Sequence, residues 1–485
     1  MIQDFDVDGL PASFDCDALV VGAGPAGIVL GLELARRRPD WHIIVVEGGG
    51  RGAPTAAELD LYAGETGEKF YALPVCRLRL LGGTSNHWGG WCRPLDGIDF
   101  EAKPHMAHSG WPFGLSELAP YYRDAQRWCE IDSDDYSPRI LQGRLLPLDE
   151  SQVFRHQLFR FSPPTRFGRR YEEDIAASPN LRLILHANAI RFDRAGDRVA
   201  GVRFRSLAGR GLRVGAHHTV LAMGGLESTR FLLNHTPTDG TGAAGRSFWM
   251  GRGFADHFGL GPGEVLAPAG LHYERTDDRT GPLMPVISPT PEAIRERGWQ
   301  NSCLQLWPLH QESLVGSDYA GNPSLGFTSG EYWLYRASMI LEPTPNPDSR
   351  VSLSTQRDAL GLRRLRLDWR IAASDFERAQ RTFAEFAREL GRLGLGRARL
   401  AQLDIPQLQR DAGGVCHHLG TLRMADRPED GVVTPDLRVH DRQDLYVLSS
   451  AVFPSYGFSN PTLTVVALAV RLAERLAGPT PGRRM

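Results

Sequence analysis

Lysine is nearly missing from this chain: Lys69 and Lys103 are the only two, and arginine supplies the rest of the 55 Lys+Arg. Against 57 Asp+Glu the net charge is −2, and no basic tract compensates locally. A nucleic-acid partner is therefore not expected, since binding phosphates requires a basic surface that displaces counterions. Cysteine is scarce too. The six (Cys16, Cys76, Cys92, Cys129, Cys303, Cys416) are scattered, with no C-x-x-C pair, and the 15 histidines show no metal-ligand spacing. This excludes a disulfide scaffold and a zinc site, and implies buried free thiols and no metal. Long apolar runs are also lacking, because residues 18–34 are broken by Gly and Glu and residues 463–469 are too few to span a bilayer. The acidic N-terminus has neither the basic nor the apolar region of a secretory signal. No membrane association and a cytoplasmic location are the resulting expectations.

What is present is ordinary globular material: 42% hydrophobic and 23% charged residues over 485 positions. That is enough to bury a large core and implies two to three domains at roughly 150 residues each. Residues 18–21 read as a strand buried on both faces, as in parallel sheets. Gly22-Ala23-Gly24-Pro25-Ala26-Gly27 follows directly, and Ile28, Leu32, Leu34 and Ala35 then give a helical apolar face that stops at Arg36-Arg37-Arg38 before Pro39. A second strand, residues 42–46, ends in Glu47. Glycines at this spacing between a strand and a helix, with an acidic residue 20 positions after Gly27, form a dinucleotide-binding fingerprint. Gly22 permits the tight turn, Gly24 lets a pyrophosphate reach the helix N-terminus, and Gly27 lets the helix pack closely on the strand. Glu47 would take ribose hydroxyls, and its charge disfavours the 2′-phosphate of NADP. Placement of the motif near the N-terminus favours FAD over NAD.

Residues 51–180 are rich in Gly, Pro and aromatics with little periodicity, and read as long loops and short helices covering the first unit. Strands return at 181–185, 199–204 and 219–222, the last running into Gly224-Gly225 and a helix over 227–233. From 260 to 410 the pattern changes to Pro-rich loops and strands expected to be antiparallel, among them 350–354 and 365–369. One helix there has Ser374 as its expected cap and Glu377 as its capping-box partner, with Phe376, Phe383, Phe386, Leu390 and Leu393 on one face. The fold class is thus α/β (α+β overall): a Rossmann-like nucleotide-binding domain over 1–259 and 411–485, with an inserted antiparallel-sheet domain over 260–410. A strand at 445–448 and a final helix over about 462–476 close the chain.

Further motifs lie at Leu81-Gly82-Gly83-Thr84-Ser85-Asn86-His87-Trp88, at Gly224-Gly225-Leu226-Glu227-Ser228 and at Gly251-Arg252-Gly253-Phe254-Ala255-Asp256-His257. Two more are His417-His418-Leu419-Gly420-Thr421 and Ser459-Asn460-Pro461-Thr462. With the N-terminal fingerprint they resemble, over nearly the whole chain, the glucose-methanol-choline (GMC) oxidoreductases, FAD-dependent alcohol-oxidising enzymes. The resemblance implies FAD, with contacts from Gly22, Gly24, Ala26, Gly27, Glu47, Gly82, Gly83, Thr84, Asn86, His87, Ala189, Gly224, Ser449 and Thr462. It implies His417 and Asn460 as the catalytic pair: the imidazole takes the hydroxyl proton as hydride leaves for the flavin, and Asn460 holds the substrate oxygen. His418 is a rival for the base. Asn460-Pro461 also reads as N-cap and N1 of the last helix, whose positive end would stabilise reduced flavin. His87 falls where pyranose oxidase and choline oxidase carry a covalent flavin bond, so covalent attachment and simple contact both stand. One departure is Ser449-Ser450-Ala451, where the family commonly has Asp-Ala-Ser.

Trp307, His310, Tyr332, Trp333 and Tyr335 of the inserted domain are expected to shape a pocket suited to sugar rings and hydroxyls. The expected activity is oxidation of a sugar, aminosugar or polyol hydroxyl, with oxygen or another acceptor taking up the electrons. A redox-silent hydroxynitrile-lyase-like enzyme, oxidation of a non-sugar alcohol and a non-catalytic flavin scaffold remain as alternatives. A disulfide reductase or monooxygenase would share only the fingerprint: the first lacks its C-x-x-C, and neither explains His417 to Asn460.

Overall fold

The computed structural model describes residues 1–141, 143–235, 247–309 and 332–478. Strands that are apolar at every position need cover on both faces, and Ile43–Val46 is buried throughout. It lies inside an eight-stranded sheet with the order Ile2–Asp4, Leu181–Leu185, Ile43–Val46, Ser13–Val21, Gly211–Leu221, Arg198–Arg205, Asn188–Ala195. The pairings are parallel as far as Gly211–Leu221, and Leu445–Val447 adds in parallel to the end of that strand. The last two strands of the order run antiparallel. One face is covered by the Pro25–Arg37 helix, which packs on the final helix, Pro461–Ala477. Close approach is forced at Gly31, where a Cβ would sit 2.9 Å from Val45 Cγ2. Val20, beneath the helix, and Leu19, on the opposite face of the sheet, are both fully buried, each contributing about 1.5–3 kcal/mol of apolar burial.

A second eight-stranded sheet is antiparallel throughout: Arg397–Leu400, Phe258–Pro268, Tyr332–Leu341, Ser302–Pro308, Gly281–Pro289, Phe154–Phe161 and Trp91–Cys92, with Thr276–Asp278 at the side. It is not drawn from residues 260–410 alone, because the covering segment supplies Phe154–Phe161 and Trp91–Cys92. The reading of 51–180 as loops and short helices is corrected here. That segment also holds a 14-residue helix, Leu115–Trp128, in which Pro120 in the second turn reads in sequence as a helix breaker. The antiparallel pair Arg350–Arg357 and Arg363–Asp368 stands apart, completed by Gly64–Thr66 in parallel.

The Ala373–Arg392 helix buries Phe376, Phe383, Phe386 and Leu390, but its expected cap is wrong. The N-cap is Ala372 and no side chain caps it. Asp375 in the first turn instead accepts from the Thr344 backbone N–H at 3.1 Å and from Arg378 at 3.0 Å, so tertiary contacts set the start. Among the described residues no helix is long and apolar enough to cross a membrane.

Candidate active site

A cavity of about 740 Å³ runs from the first strand-turn-helix to the start of the last helix. At one end lies the glycine turn. Gly22 has φ +108°, and a Cβ there would meet the Ala222 carbonyl at 2.6 Å, so only glycine fits. A Cβ on Gly24 would meet nothing within 4 Å, so this backbone opens onto the cavity. The helix starting at Pro25 has no side-chain cap, which leaves its N-terminal N–H groups turned to whatever the cavity holds. Glu47 binds both sides of the turn: Oε2 accepts from Ala23 N–H at 2.9 Å and Oε1 from Gly49 N–H at 3.0 Å. Each oxygen keeps a lone pair for a further donor. A charge network joins Glu227 to Arg77, Arg79 and Arg230, and Glu227, Arg77 and Arg79 line the cavity. Burial would raise the Glu227 pKa, but Arg230, Arg79 and Arg77 outweigh it and the group is held below its ordinary value.

At the other end His417 and Asn460 meet. Asn460 Nδ2 is 3.2 Å from His417 Nε2, although 43 residues separate them in sequence. Asn460 is the N-cap of Pro461–Ala477, yet its side chain makes no capping bond; it is spent on the histidine. The far side of the His417 ring is also engaged, with Nδ1 2.8 Å from Nδ1 of His257, and His257 Nε2 lies 2.8 Å from the Gly457 carbonyl. Asp256 fixes the backbone beneath: it accepts from the N–H of His417 at 2.9 Å and of Cys416 at 3.0 Å, and from the Tyr71 hydroxyl at 2.6 Å. Burial pushes the Asp256 carboxyl up to about 7 despite these bonds. Burial, then His257 and His418, hold His417 well below the usual histidine value, so its ring is neutral.

Gly22, Gly24, Ala26, Glu47, Gly83, Thr84, His87, Ala189, Gly224, Ser449, Thr462, His417 and Asn460 all line the cavity. Three expected contacts do not. Gly27 faces the turn, where a Cβ would fall 1.9 Å from the Gly22 carbonyl. Gly82, with φ +92°, packs on the Gly168 backbone. The Asn86 amide is used within its own loop, donating to Leu81 and Gly83 carbonyls at 3.0 and 2.9 Å. The aromatic set expected of the inserted domain does not line the cavity either. Strand alternation turns Trp333 and Tyr335 away from the face that carries Ile340; Tyr335 is fully buried, and Trp307 is on the surface. His310 lies outside the described residues. The wall on that side is formed by Phe159, Cys303, Gln305, Ile340 and Phe458.

His418 also lines the cavity, but Asn460 reaches its neighbour, and His418 Nε2 is buried without a partner. Of the cysteines, five are buried and Cys416 is exposed, a correction to the expectation of buried thiols, since Cys416 lines the cavity beside His417. Asp256 and His257 stand in a motif that by itself assigns them no role. Their partners lie 160 residues away, so no local pattern carries the contact.

Residues 345–469 match the family model described as GMC oxidoreductase. The chain carries a GMC oxidoreductase C-terminal domain. Paromamine 6′-oxidase of Streptomyces fradiae is 25% identical over 95% of this chain and 91% of that protein. 6‴-hydroxyparomomycin C oxidase of Streptomyces lividus is 27% identical over 97% and 93%. A C-glycoside 3-oxidase of Arthrobacter globiformis is 33% identical over 26% of this chain and 23% of that protein. Among solved structures, pyridoxine 4-oxidase from Mesorbium loti superposes with a TM-score of 0.58 at 19% identity, covering 94% of this chain and 98% of that one. Formate oxidase gives 0.59 at 16%, covering 96% and 99%. The mixed helix and multi-sheet architecture is thus that of these two solved oxidases. The GMC match at 345–469 includes both His417 and Asn460.

Proposed function

We propose that this chain is an FAD-dependent enzyme that oxidises a CH–OH group of a sugar, aminosugar or other polyol to the carbonyl. The observation that carries the reading is the 3.2 Å approach of His417 Nε2 and Asn460 Nδ2 at one end of the cavity whose other end is the glycine turn. GMC oxidoreductases are FAD-binding flavoproteins, and the residues here fit the cofactor. Gly24 leaves space where a Cβ would stand, the helix behind it is uncapped, and His418, which lines the cavity, carries an orphaned buried polar atom, Nε2. Gly22, Gly24, Ala26 and the N-terminus of Pro25–Arg37 would hold the pyrophosphate, and Glu47 the ribose. Gly83, Thr84, His87, Ala189, Gly224, Ser449 and Thr462 would complete the contacts, while Gly27, Gly82 and Asn86 would act by shaping the loops. Bound FAD supplies the hydride acceptor.

The chain's own part is proton transfer and orientation. The neutral imidazole of His417 takes the substrate hydroxyl proton at Nε2, which avoids a free alkoxide. Asn460 donates its amide to the same oxygen, and the uncapped start of Pro461–Ala477 places a positive dipole end beside it. Phe159, Ile340 and Phe458 give apolar walls for C–H faces, with Gln305 as a polar edge. The two long relatives named as oxidases of paromamine and hydroxyparomomycin support an aminosugar as the substrate class.

The test is the visible spectrum of the purified protein mixed anaerobically with aminosugars, sugars and simple alcohols, then opened to air. Bleaching by an alcohol supports the reading; fast return of colour in air makes oxygen the acceptor and slow return another acceptor. A yellow protein that no alcohol bleaches overturns it.

Because His417 must be neutral to act and burial holds its protonation well below 6.5, kcat/KM is expected to stay flat from about pH 6.5 to 8 and to fall only on the acid side. An acid limb centred at or above 6.5 in the pH profile contradicts this. His87 is exposed at the cavity, and its pKa is lowered by burial and by Arg166, leaving a neutral ring nitrogen. The finer reading is a covalent bond from His87 to the flavin. After acid precipitation the yellow colour is expected in the pellet for the native protein and in the supernatant for His87→Ala; colour in both supernatants leaves contact without a bond.

A further inference from the structure

We propose that His257 is a positioning residue that sets the tautomer of His417, so that Nε2, the atom facing Asn460 and the cavity, carries the lone pair. The inference rests on the reading of His417 as the base and goes beyond it by explaining why that nitrogen is free.

The argument is donor and acceptor accounting along three distances. The Gly457 carbonyl can only accept, so the 2.8 Å contact requires the hydrogen on His257 Nε2. His257 is 1% exposed, and burial pushes its pKa down to about 4, so the ring is neutral with a single N–H. Its Nδ1 is then an acceptor. Across 2.8 Å lies His417 Nδ1, and two lone pairs cannot face each other at that distance, so His417 Nδ1 donates. His417, also neutral, has used its only hydrogen. Nε2 is left bare, and the Asn460 Nδ2 donor at 3.2 Å is matched to it.

Both ends of the relay are anchored. Asp256 holds the His417 backbone N–H at 2.9 Å. Gly457, at φ +57°, lies against Asp99, whose Oδ2 would be 2.4 Å from any Cβ placed there. The rings of His257 and His417 meet edge to edge, with centroids 5.0 Å apart and planes turned 85° to each other. That orientation lets a ring nitrogen of one point at a ring nitrogen of the other rather than at its face. Without the His257 acceptor, His417 is free to move its hydrogen to Nε2, the form that cannot take a proton there.

The test uses flavin-loaded protein in three forms: native, His257→Leu and His257→Gln. Leucine removes both ring nitrogens, whereas a glutamine amide keeps an acceptor for His417 Nδ1–H and a donor for Gly457. His257→Leu is expected to lower kcat about 100-fold with KM changed less than about threefold, and His257→Gln to recover most of the loss. Independently, ¹⁵N NMR of histidine-labelled protein without substrate, with His417→Gln to assign the signal, should show His417 protonated at Nδ1 and bare at Nε2 in the native form. In His257→Leu the hydrogen should shift toward Nε2. Native His417 protonated at Nε2 overturns the proposal, as does a His257→Leu variant with native kcat. Equal losses in both variants with the Nδ1–H signal unchanged would make His257 merely structural and also overturn it. Full turnover by His417→Ala would sink the base assignment alone, since the NMR result is read without catalysis.

Discussion

His417→Ala is expected to lower alcohol-dependent flavin reduction by about 10²- to 10⁴-fold while the protein keeps its flavin. At about 1.4 kcal/mol per factor of ten, that is a loss of roughly 3–5 kcal/mol of transition-state stabilisation. The size follows from what remains when the ring is gone. Asn460 Nδ2, 3.2 Å from the lost Nε2, is a donor and cannot take the hydroxyl proton. His418 is the nearest imidazole in sequence, but Asn460 meets His417 and not His418, so no amide donor stands beside His418 to hold a substrate oxygen. Flavin retention is expected because the glycine turn and Glu47 lie at the opposite end of the cavity. Anaerobic stopped-flow of wild type and variant at equal flavin content checks it; a variant reduced at the native rate refutes the assigned role.

Gly27→Ala is expected to cost about 1–3 kcal/mol of stability and most of the flavin, whereas Gly24→Ala should leave the fold intact and weaken only flavin retention. The two glycines sit three residues apart in one turn and differ in what a methyl group would meet. At Gly27 it would stand 1.9 Å from the Gly22 carbonyl and 3.3 Å from Val20 Cγ1, and the turn cannot yield because Gly22 N–H is tied to the Val46 carbonyl at 2.7 Å. At Gly24 it would meet no protein atom within 4 Å and would fill only the space assigned to the pyrophosphate. Thermal unfolding of the flavin-free forms, with the flavin-to-protein ratio after purification, separates the two. A Gly24→Ala protein as unstable as Gly27→Ala would mean that Gly24 serves packing rather than a ligand.

The elements most legible in the sequence were those whose reasons are local. Residues 18–21 of the Ser13–Val21 strand, the glycine turn and the Pro25–Arg37 helix follow from a short apolar run, three glycines at fixed spacing and a basic stop before Pro39, whereas the first half of that strand, with Asp15 and Asp17, was not legible. The Leu115–Trp128 helix was not legible because Pro120 reads as a helix breaker, although Leu118, Tyr122 and Ala125 keep helical spacing across it, and its place is set by packing on Pro461–Ala477. The cap at Ser374 failed for a related reason: Asp375 finds Thr344, 31 residues away, and that long-range bond outweighs a local one.

By itself the sequence determined the chemistry available to this protein: a glycine turn able to take a pyrophosphate, Glu47 at the end of the next strand, and a histidine and an asparagine in family motifs far apart in the chain. Tertiary structure alone decided how those groups act. Folding turns Asn460 from capping its own helix to meeting His417 Nε2, and sets His257 against Nδ1 of the same ring. It also faces Gln305 and Ile340 into the cavity while burying Tyr335 elsewhere. The physical reason is the same in each case. A hydrogen-bond partner or a strand face is selected by what the fold brings within about 3 Å, and that distance is not encoded in the spacing of residues along the chain.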